Sequence, residues 1–135
     1  MEGIGLERTA SRVRLIAWRI AFYAAFIVAG IFLLSPADAL PRGPAFPGAD
    51  KLEHLATFAA LGALGARAYP DKPTWGIWLA LALWGGATEL AQRDIPGRSA
   101  EVLDWIADAV GALAAFLTRR SGPSARTPPR PNPPS

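Results

Sequence analysis

Residues 15–34 read LIAWRIAFYAAFIVAGIFLL, twenty residues in which Arg19 is the one charge. A transmembrane helix needs about 20 predominantly apolar residues. Arg19 and its neighbour Trp18 lie one turn from the start. There an arginine can extend to the nearer membrane surface, and a tryptophan suits the interfacial belt. This stretch therefore predicts a membrane-spanning helix.

Three further apolar stretches follow, and each carries some charge. They cover residues 52–69, 74–90 and 102–117. All three are short for a bilayer and rich in alanine and glycine, and small residues let transmembrane helices pack closely. The sequence therefore predicts an all-α protein, an integral membrane bundle of four transmembrane helices. The alternative is a soluble helical protein in which these stretches are core helices.

The composition favours the membrane interpretation. Of 135 residues, 51% are hydrophobic and 19% are charged, whereas soluble domains carry roughly 25% charged residues. The absence of cysteine and the presence of one histidine exclude disulfides, thiolate sites and multi-histidine zinc sites. No glycine-rich phosphate loop or nucleic-acid motif is present, so no nucleic-acid partner is predicted.

Lysine and arginine indicate the orientation. With four spans both termini share one side of the membrane, and that side holds ten of the 14 basic residues. The positive-inside rule then predicts a multi-pass protein of the bacterial inner (plasma) membrane with both termini cytoplasmic. The predicted parts are a cytoplasmic N-terminal segment (1–14), a membrane domain (15–118) and a disordered, proline- and arginine-rich cytoplasmic tail (119–135).

A cleavable leader is the alternative for the first stretch. Basic residues precede it, and Ala37, Asp38 and Ala39 resemble a small-x-small cleavage site. An apolar leader core has about 7–15 residues. The length of residues 15–34 therefore favours an uncleaved anchor, whereas cleavage would leave three spans. The proline-rich residues 35–50 predict an outer loop.

Polar residues of the last three stretches gather towards the predicted outer side. Asp50 and His54 are four apart and share a helix face, as Glu89 and Gln92 do at a spacing of three. A third stripe, on the fourth helix, consists of Glu101, Asp104, Asp108 and Gly111. Ionisable groups at membrane depth usually face the bundle interior, have a partner and mark a functional site. We therefore expect His54 to lie near Asp104 or Glu89, and Arg98 near a carboxylate.

These residues support three kinds of chemistry. Lys51, Arg98 and His54 suit a phosphate group, and the ligand-binding candidates are Lys51, Arg98, Gln92 and Asp108. His54, oriented by Asp50 one turn away, suits a general base or nucleophile. The catalytic candidates are His54, Asp50, Glu89 and Asp104. The same four residues suit magnesium or manganese better than zinc, although no metal ligand is firmly assigned.

The order of these residues resembles the VanZ-like family, which is named for a teicoplanin-resistance protein. The matching motifs are Asp50-Lys51-Leu52-Glu53-His54 with Phe58, Glu89-x-x-Gln92, Pro96-Gly97-Arg98, and Asp104 with Asp108 and Gly111. The similarity covers residues 50–117, and the family often has asparagine at the position of Asp108. It implies a small multi-span protein of the bacterial cell envelope with an effect on glycopeptide antibiotic sensitivity. It implies no settled reaction.

Three functions follow from this pattern. The first is a binding protein whose outer pocket recognises the headgroup of a membrane lipid or of a lipid-linked cell-wall precursor. The second is an outer-leaflet enzyme, a phosphatase, hydrolase or transferase acting on such a headgroup. The third, a proton or ion conduit, is disfavoured because the inner halves of the last three spans have no polar residue except Arg67 at the edge.

Overall fold

The computed structural model describes residues 2–41 and 46–120, and within them it contains helices and no strand. The helices are α1 (Glu2–Leu34), α2 (Ala49–Ala68), α3 (Thr74–Gln92), α4 (Val102–Ala112) and α5 (Ala114–Arg120), with a short 3₁₀ turn at Ala37–Ala39. The predicted all-α class is confirmed. The predicted tail lies outside the described residues except for its first two positions, 119 and 120, which belong to α5.

Glycine and proline set the starts of the central helices. Gly48 precedes α2 with a φ of 84°, a left-handed conformation that glycine adopts without steric cost. Pro73 precedes α3, and because a helix start leaves its first N–H groups unpaired, a residue without an N–H fits there. The starts of α2 and α3 are therefore explained by the residues that precede them, Gly48 and Pro73.

Helix α1 is longer than the predicted span, because residues 2–14 continue it towards the N-terminus. Its 33 residues extend about 50 Å at 1.5 Å per residue. Among the described helices, only α1 (over Gly5–Leu34) is by itself long and apolar enough to cross a membrane. A signal sequence or a buried core helix meets the same criterion, but only 6% of the apolar window of α1 is buried. Most of its apolar surface therefore faces outward.

Helices α2 and α4 pack most closely, and glycines allow this. A Cβ on Gly62 of α2 would lie 2.7 Å from the carbonyl oxygen of Ala112, and Gly111 of α4 lies directly against the carbonyl of Leu55. Backbones approach this closely only where side chains are small. This register sets the polar residues of the two helices opposite one another.

The predicted fourth span is divided into two helices. At Leu113 the backbone N–H donates to the carbonyl of Val110, three residues earlier, at 3.1 Å. An α-helix bonds to the fourth residue back, so this is one tighter, 3₁₀-like turn. The buried face nevertheless continues from Ala112 to Ala115, both fully buried.

The bundle has a hydrophobic core that includes Phe58, Leu61 and Leu81, but it also has a broad exposed apolar surface and buried polar residues. Large apolar side chains are exposed on every long helix, including Ile20 at 64%, Leu83 at 63% and Val102 at 70%. The buried polar residues are His54, Thr88, Glu89, Gln92, Asp104 and Asp108. Charged residues are rarely buried in proteins unless paired, whereas a broad exposed apolar surface marks an interaction with another apolar phase or partner.

Candidate functional site

A buried group of three titratable residues lies where α2, α3 and α4 meet. The Nδ1–H of His54 donates to Asp108 Oδ1 at 2.8 Å, and Glu89 Oε1 lies 3.9 Å from the same nitrogen. Their side chains are at most 7% exposed. We call these three residues the inner cluster.

The carboxylate of Glu89 is held in a fixed orientation. Its Oε2 accepts the backbone N–H of Glu101 at 2.9 Å, at the start of α4, where an N–H lacks a partner within the helix. Its Oε1 is buried without a hydrogen-bond partner among the described residues, and so is Oδ2 of Asp108. The inner cluster therefore contains two buried oxygen atoms that accept no hydrogen bond from the described residues.

A second cluster surrounds Lys51 at the outer edge of this group. The Lys51 ammonium lies 2.8 Å from Asp50 Oδ2, 2.7 Å from Glu101 Oε2 and 3.2 Å from Asp104 Oδ1. We call these four residues the outer cluster. The hydrogen bond from Lys51 lowers the pKa of Glu101.

Arg98 and Gln92 bind the end of α1. Arg98 donates to the carbonyls of Phe32 at 2.8 Å and Ser35 at 3.2 Å, and Gln92 donates to that of Leu33 at 2.8 Å. The last carbonyls of a helix have no partner within it, so these side chains cap α1. The expectation that Arg98 lies near a carboxylate is wrong, because within residues 2–41 and 46–120 it forms no ion pair.

The structure confirms that His54 lies near Glu89, at 3.9 Å, and corrects the prediction that Asp50 orients the imidazole. Asp50, expected to orient His54 from the same helix, is half-exposed and binds Lys51 instead. Asp108 on α4 orients the imidazole, while Asp104 belongs to the outer cluster. The predicted four-residue metal set is thereby divided between the two clusters. In each cluster three residues have potential ligand atoms within 4.8 Å of one another: His54 with Glu89 and Asp108, and Asp50 with Glu101 and Asp104.

A cavity of about 530 Å³ lies between α1 and α2 beside the inner cluster. Its polar wall includes Asp50, Glu53, His54, Thr57 and Arg98, and the rest of its lining is apolar. Glu53 and Thr57 are not among the site residues predicted from the sequence, although Glu53 lies within the motif that contains Asp50 and His54. With Asp50 and His54 they fall at i, i+3, i+4 and i+7, a one-face helical pattern that could have identified them.

A second cavity, of about 490 Å³, lies between α3 and α4. Glu89, Arg93 and Glu101 supply its polar side chains, and the remaining lining is mostly apolar. Each cavity therefore reaches one member of the inner cluster, His54 from the α1–α2 side and Glu89 from the α3–α4 side. The inner cluster is consequently accessible from two apolar cavities, although its side chains are almost fully buried.

Comparison with known proteins gives no relative: no family model, no curated protein and no solved structure matches the chain. The likeness to the VanZ-like family consists of the motif residues alone. Those residues do gather in space, because Asp50, Lys51 and Asp104 belong to the outer cluster and His54 and Glu89 to the inner cluster.

Proposed function

We propose that this chain is a four-span protein of the bacterial plasma membrane with both termini in the cytoplasm. The broad exposed apolar surface supports this, since lipid is a solvent that accepts apolar side chains on the outside of a helical bundle. Helices α2 and α3, with 20 and 19 residues, extend about 30 Å, the thickness of a bilayer core. Their polar residues lower their mean hydropathy, but His54, Glu89 and Gln92 are buried inside the bundle.

Within this membrane topology, the α1–α2 cavity binds a phosphate-bearing lipid. The observation that carries this proposal is the shape and lining of the cavity: mostly apolar walls from two helices, with charged groups on one side. An acyl or prenyl chain fits the apolar walls, and a headgroup fits the polar wall. A membrane phospholipid and a lipid-linked cell-wall precursor share this chemistry. The envelope context and the effect on glycopeptide sensitivity suggested by the VanZ-like resemblance belong to the same proposal.

Arg98 is the phosphate contact in this proposal. A guanidinium has five N–H donors in a fork that matches phosphate, and the α1 carbonyls take those at Nε and Nη2. Donors remain for a ligand in the cavity that Arg98 lines. Lys51 is held by three carboxylates, so it contributes to the electrostatics of the site without contacting phosphate.

Photo-crosslinking with a photoactivatable phospholipid tests the lipid site. Ala56→Trp fills the α1–α2 cavity, and the matched control Ala87→Trp fills the α3–α4 cavity from an equally exposed alanine. We expect Ala56→Trp to reduce labelling at least fivefold and Ala87→Trp to leave it unchanged. A parallel assay uses an undecaprenyl-phosphate probe and distinguishes the two lipid sources. Equal labelling of both variants, or adducts confined to α3 and α4, would refute the lipid site.

Reporter fusions test the topology separately. A reporter that is active only in the cytoplasm should give signal when fused after Arg120 and none when inserted within residues 42–45. The reverse pattern, or signal at both positions, contradicts the four-span arrangement and its orientation.

A second candidate function is catalysis on the bound headgroup. The observation that favours it is the Asp108–His54 pair: Nδ1 is bound to a carboxylate, while Nε2 forms no hydrogen bond among the described residues and the ring lines the cavity. A histidine oriented in this way suits a general base or nucleophile in an outer-leaflet hydrolase or transferase. In that case His54→Ala abolishes turnover of a labelled lipid yet retains photo-labelling. If the wild-type protein binds the labelled lipid but does not turn it over, the catalytic proposal is wrong and the lipid-binding proposal stands alone.

A further inference from the structure

We propose that the inner cluster binds one divalent transition-metal cation through His54, Glu89 and Asp108. Three helices contribute one residue each, and their potential ligand atoms lie within 4.8 Å of one another. Metal–ligand bonds of about 2.0–2.2 Å place adjacent ligands about 3 Å apart and opposite ligands about 4 Å apart. The observed separations of 2.8 Å and 3.9 Å from His54 Nδ1 to the two carboxylates match that range.

Two buried oxygens point to a missing partner. Glu89 Oε1 and Asp108 Oδ2 are buried and accept no hydrogen bond from any described residue, although the side chains are only 7% and 0% exposed. Buried polar atoms in native proteins are nearly always satisfied. The bond from Glu101 N to Glu89 Oε2 holds the other oxygen towards His54, as an outer-shell donor orients a metal ligand.

The two clusters also differ in how the negative charge of their carboxylates is balanced. The outer cluster has its own cation, Lys51, in contact with all three carboxylates. The inner cluster has two carboxylates, and the one side chain of the described residues that forms an ion pair with them is His54, which can balance only one of the two charges. The remaining charge is costly in an apolar interior unless it is compensated. A divalent cation neutralises both carboxylates and needs no protein cation.

The donor set indicates which cation. One imidazole nitrogen with two carboxylates suits manganese, iron or zinc, whereas calcium and magnesium prefer ligand sets made of oxygen alone. On binding, the proton of His54 Nδ1 leaves to solvent, since a metal ligand must be deprotonated. Three protein ligands leave further coordination positions for water. The proposal does not rest on lipid binding, because its ligands are protein atoms.

Manganese binding to the full-length protein tests the proposal. Chelator-treated protein in detergent, without added lipid, is titrated with Mn²⁺ while the free ion is followed by electron paramagnetic resonance. We expect one Mn²⁺ per chain. Glu89→Gln and Asp108→Asn should each weaken binding at least tenfold. Asp94→Asn, at an exposed carboxylate in the turn after α3, is the matched control and should bind as the wild type does.

The wild-type titration is decisive even if a variant fails to fold. Wild-type protein with a cooperative thermal transition that binds neither Mn²⁺ nor Zn²⁺ overturns the proposal. So does binding that survives Glu89→Gln and Asp108→Asn but is lost in Asp50→Asn, because the ion then lies in the outer cluster. Wild-type protein that binds Mn²⁺ but is not labelled by either lipid probe refutes the lipid site alone, so the two proposals fail independently.

Discussion

Replacing Gly111 by alanine tests whether the α2–α4 contact positions the inner cluster. An added Cβ would overlap the carbonyl oxygen of Leu55 and lie 3.0 Å from the amide nitrogen of Ala59. These are backbone atoms, so no side chain can move aside, and the helices must separate by roughly 1 Å to restore normal contact. Because Asp108 lies one turn before Gly111, the same shift stretches its 2.8 Å bond to His54 beyond hydrogen-bond length.

The expected net loss of stability is roughly 1.5–5 kcal/mol. Overpacking costs about 1–3 kcal/mol and loss of the charged hydrogen bond about 1.5–3 kcal/mol, while alanine recovers about 1 kcal/mol of helix propensity. The matched control is Gly76→Ala in α3, where the Cβ would lie an ordinary 3.5 Å from a proline side chain. Thermal unfolding in detergent should show Gly111→Ala several degrees below wild type and Gly76→Ala at or above it. If Gly111→Ala melts no lower than Gly76→Ala, the inferred close contact is wrong.

Three further predictions concern the residues around the site. Arg98→Ala removes two hydrogen bonds to the end of α1 and should lower unfolding free energy by about 1–3 kcal/mol. Arg93→Ala, which is exposed, should change it by less than about 0.5 kcal/mol in the same melts. Asp104→Ala removes a buried partner of Lys51 and should destabilise clearly, whereas Asp94→Ala should be nearly silent. Comparable losses would mean that the buried face of α4 is misplaced. The hydrogen bond from Lys51 lowers the pKa of Glu101 below its ordinary 4.5. The stability that this pair contributes is therefore present above about pH 4.5 and is lost at lower pH as the carboxylate gains a proton. The melting difference between wild type and Lys51→Met should follow that profile, and a difference independent of pH contradicts it.

The sequence predicts the helices better than it predicts their edges. The apolar stretches 52–69 and 74–90 locate α2 (Ala49–Ala68) and α3 (Thr74–Gln92) to within three residues. Apolar periodicity misses the first half of α1, where residues 2–14 are polar but contain no proline to end a helix. It also misses the tight turn at Leu113, where no glycine or proline signals a change.

The side-chain partners within the site are harder to predict from the sequence than the helices are. Helical spacing pairs Asp50 with His54 because both lie on one face of α2, yet the partner of His54 comes from α4. The partner of His54 depends on how α2 and α4 are aligned, and Gly62 and Gly111 set that alignment by packing against the facing backbone. The spacing of residues within one helix carries no information about this alignment. The prediction for Arg98 is wrong for a related reason: its partners are the backbone carbonyls at the end of α1, and residue spacing does not show that this helix end lies beside residue 98.

The exposed apolar surface and the buried polar residues also determine which positions tolerate substitution. If lipid surrounds the bundle, outward residues such as Ile20 and Leu83 can exchange among leucine, valine and phenylalanine at little cost, since their neighbours are fluid chains. A lysine or aspartate at a mid-membrane position among them costs about 2.5–3.5 kcal/mol. Inside, the reverse holds, and an apolar replacement of Asp108 leaves His54 unpaired. A saturation-mutagenesis map of this chain would therefore show that outward positions tolerate exchange among apolar residues and that the buried polar positions tolerate few substitutions.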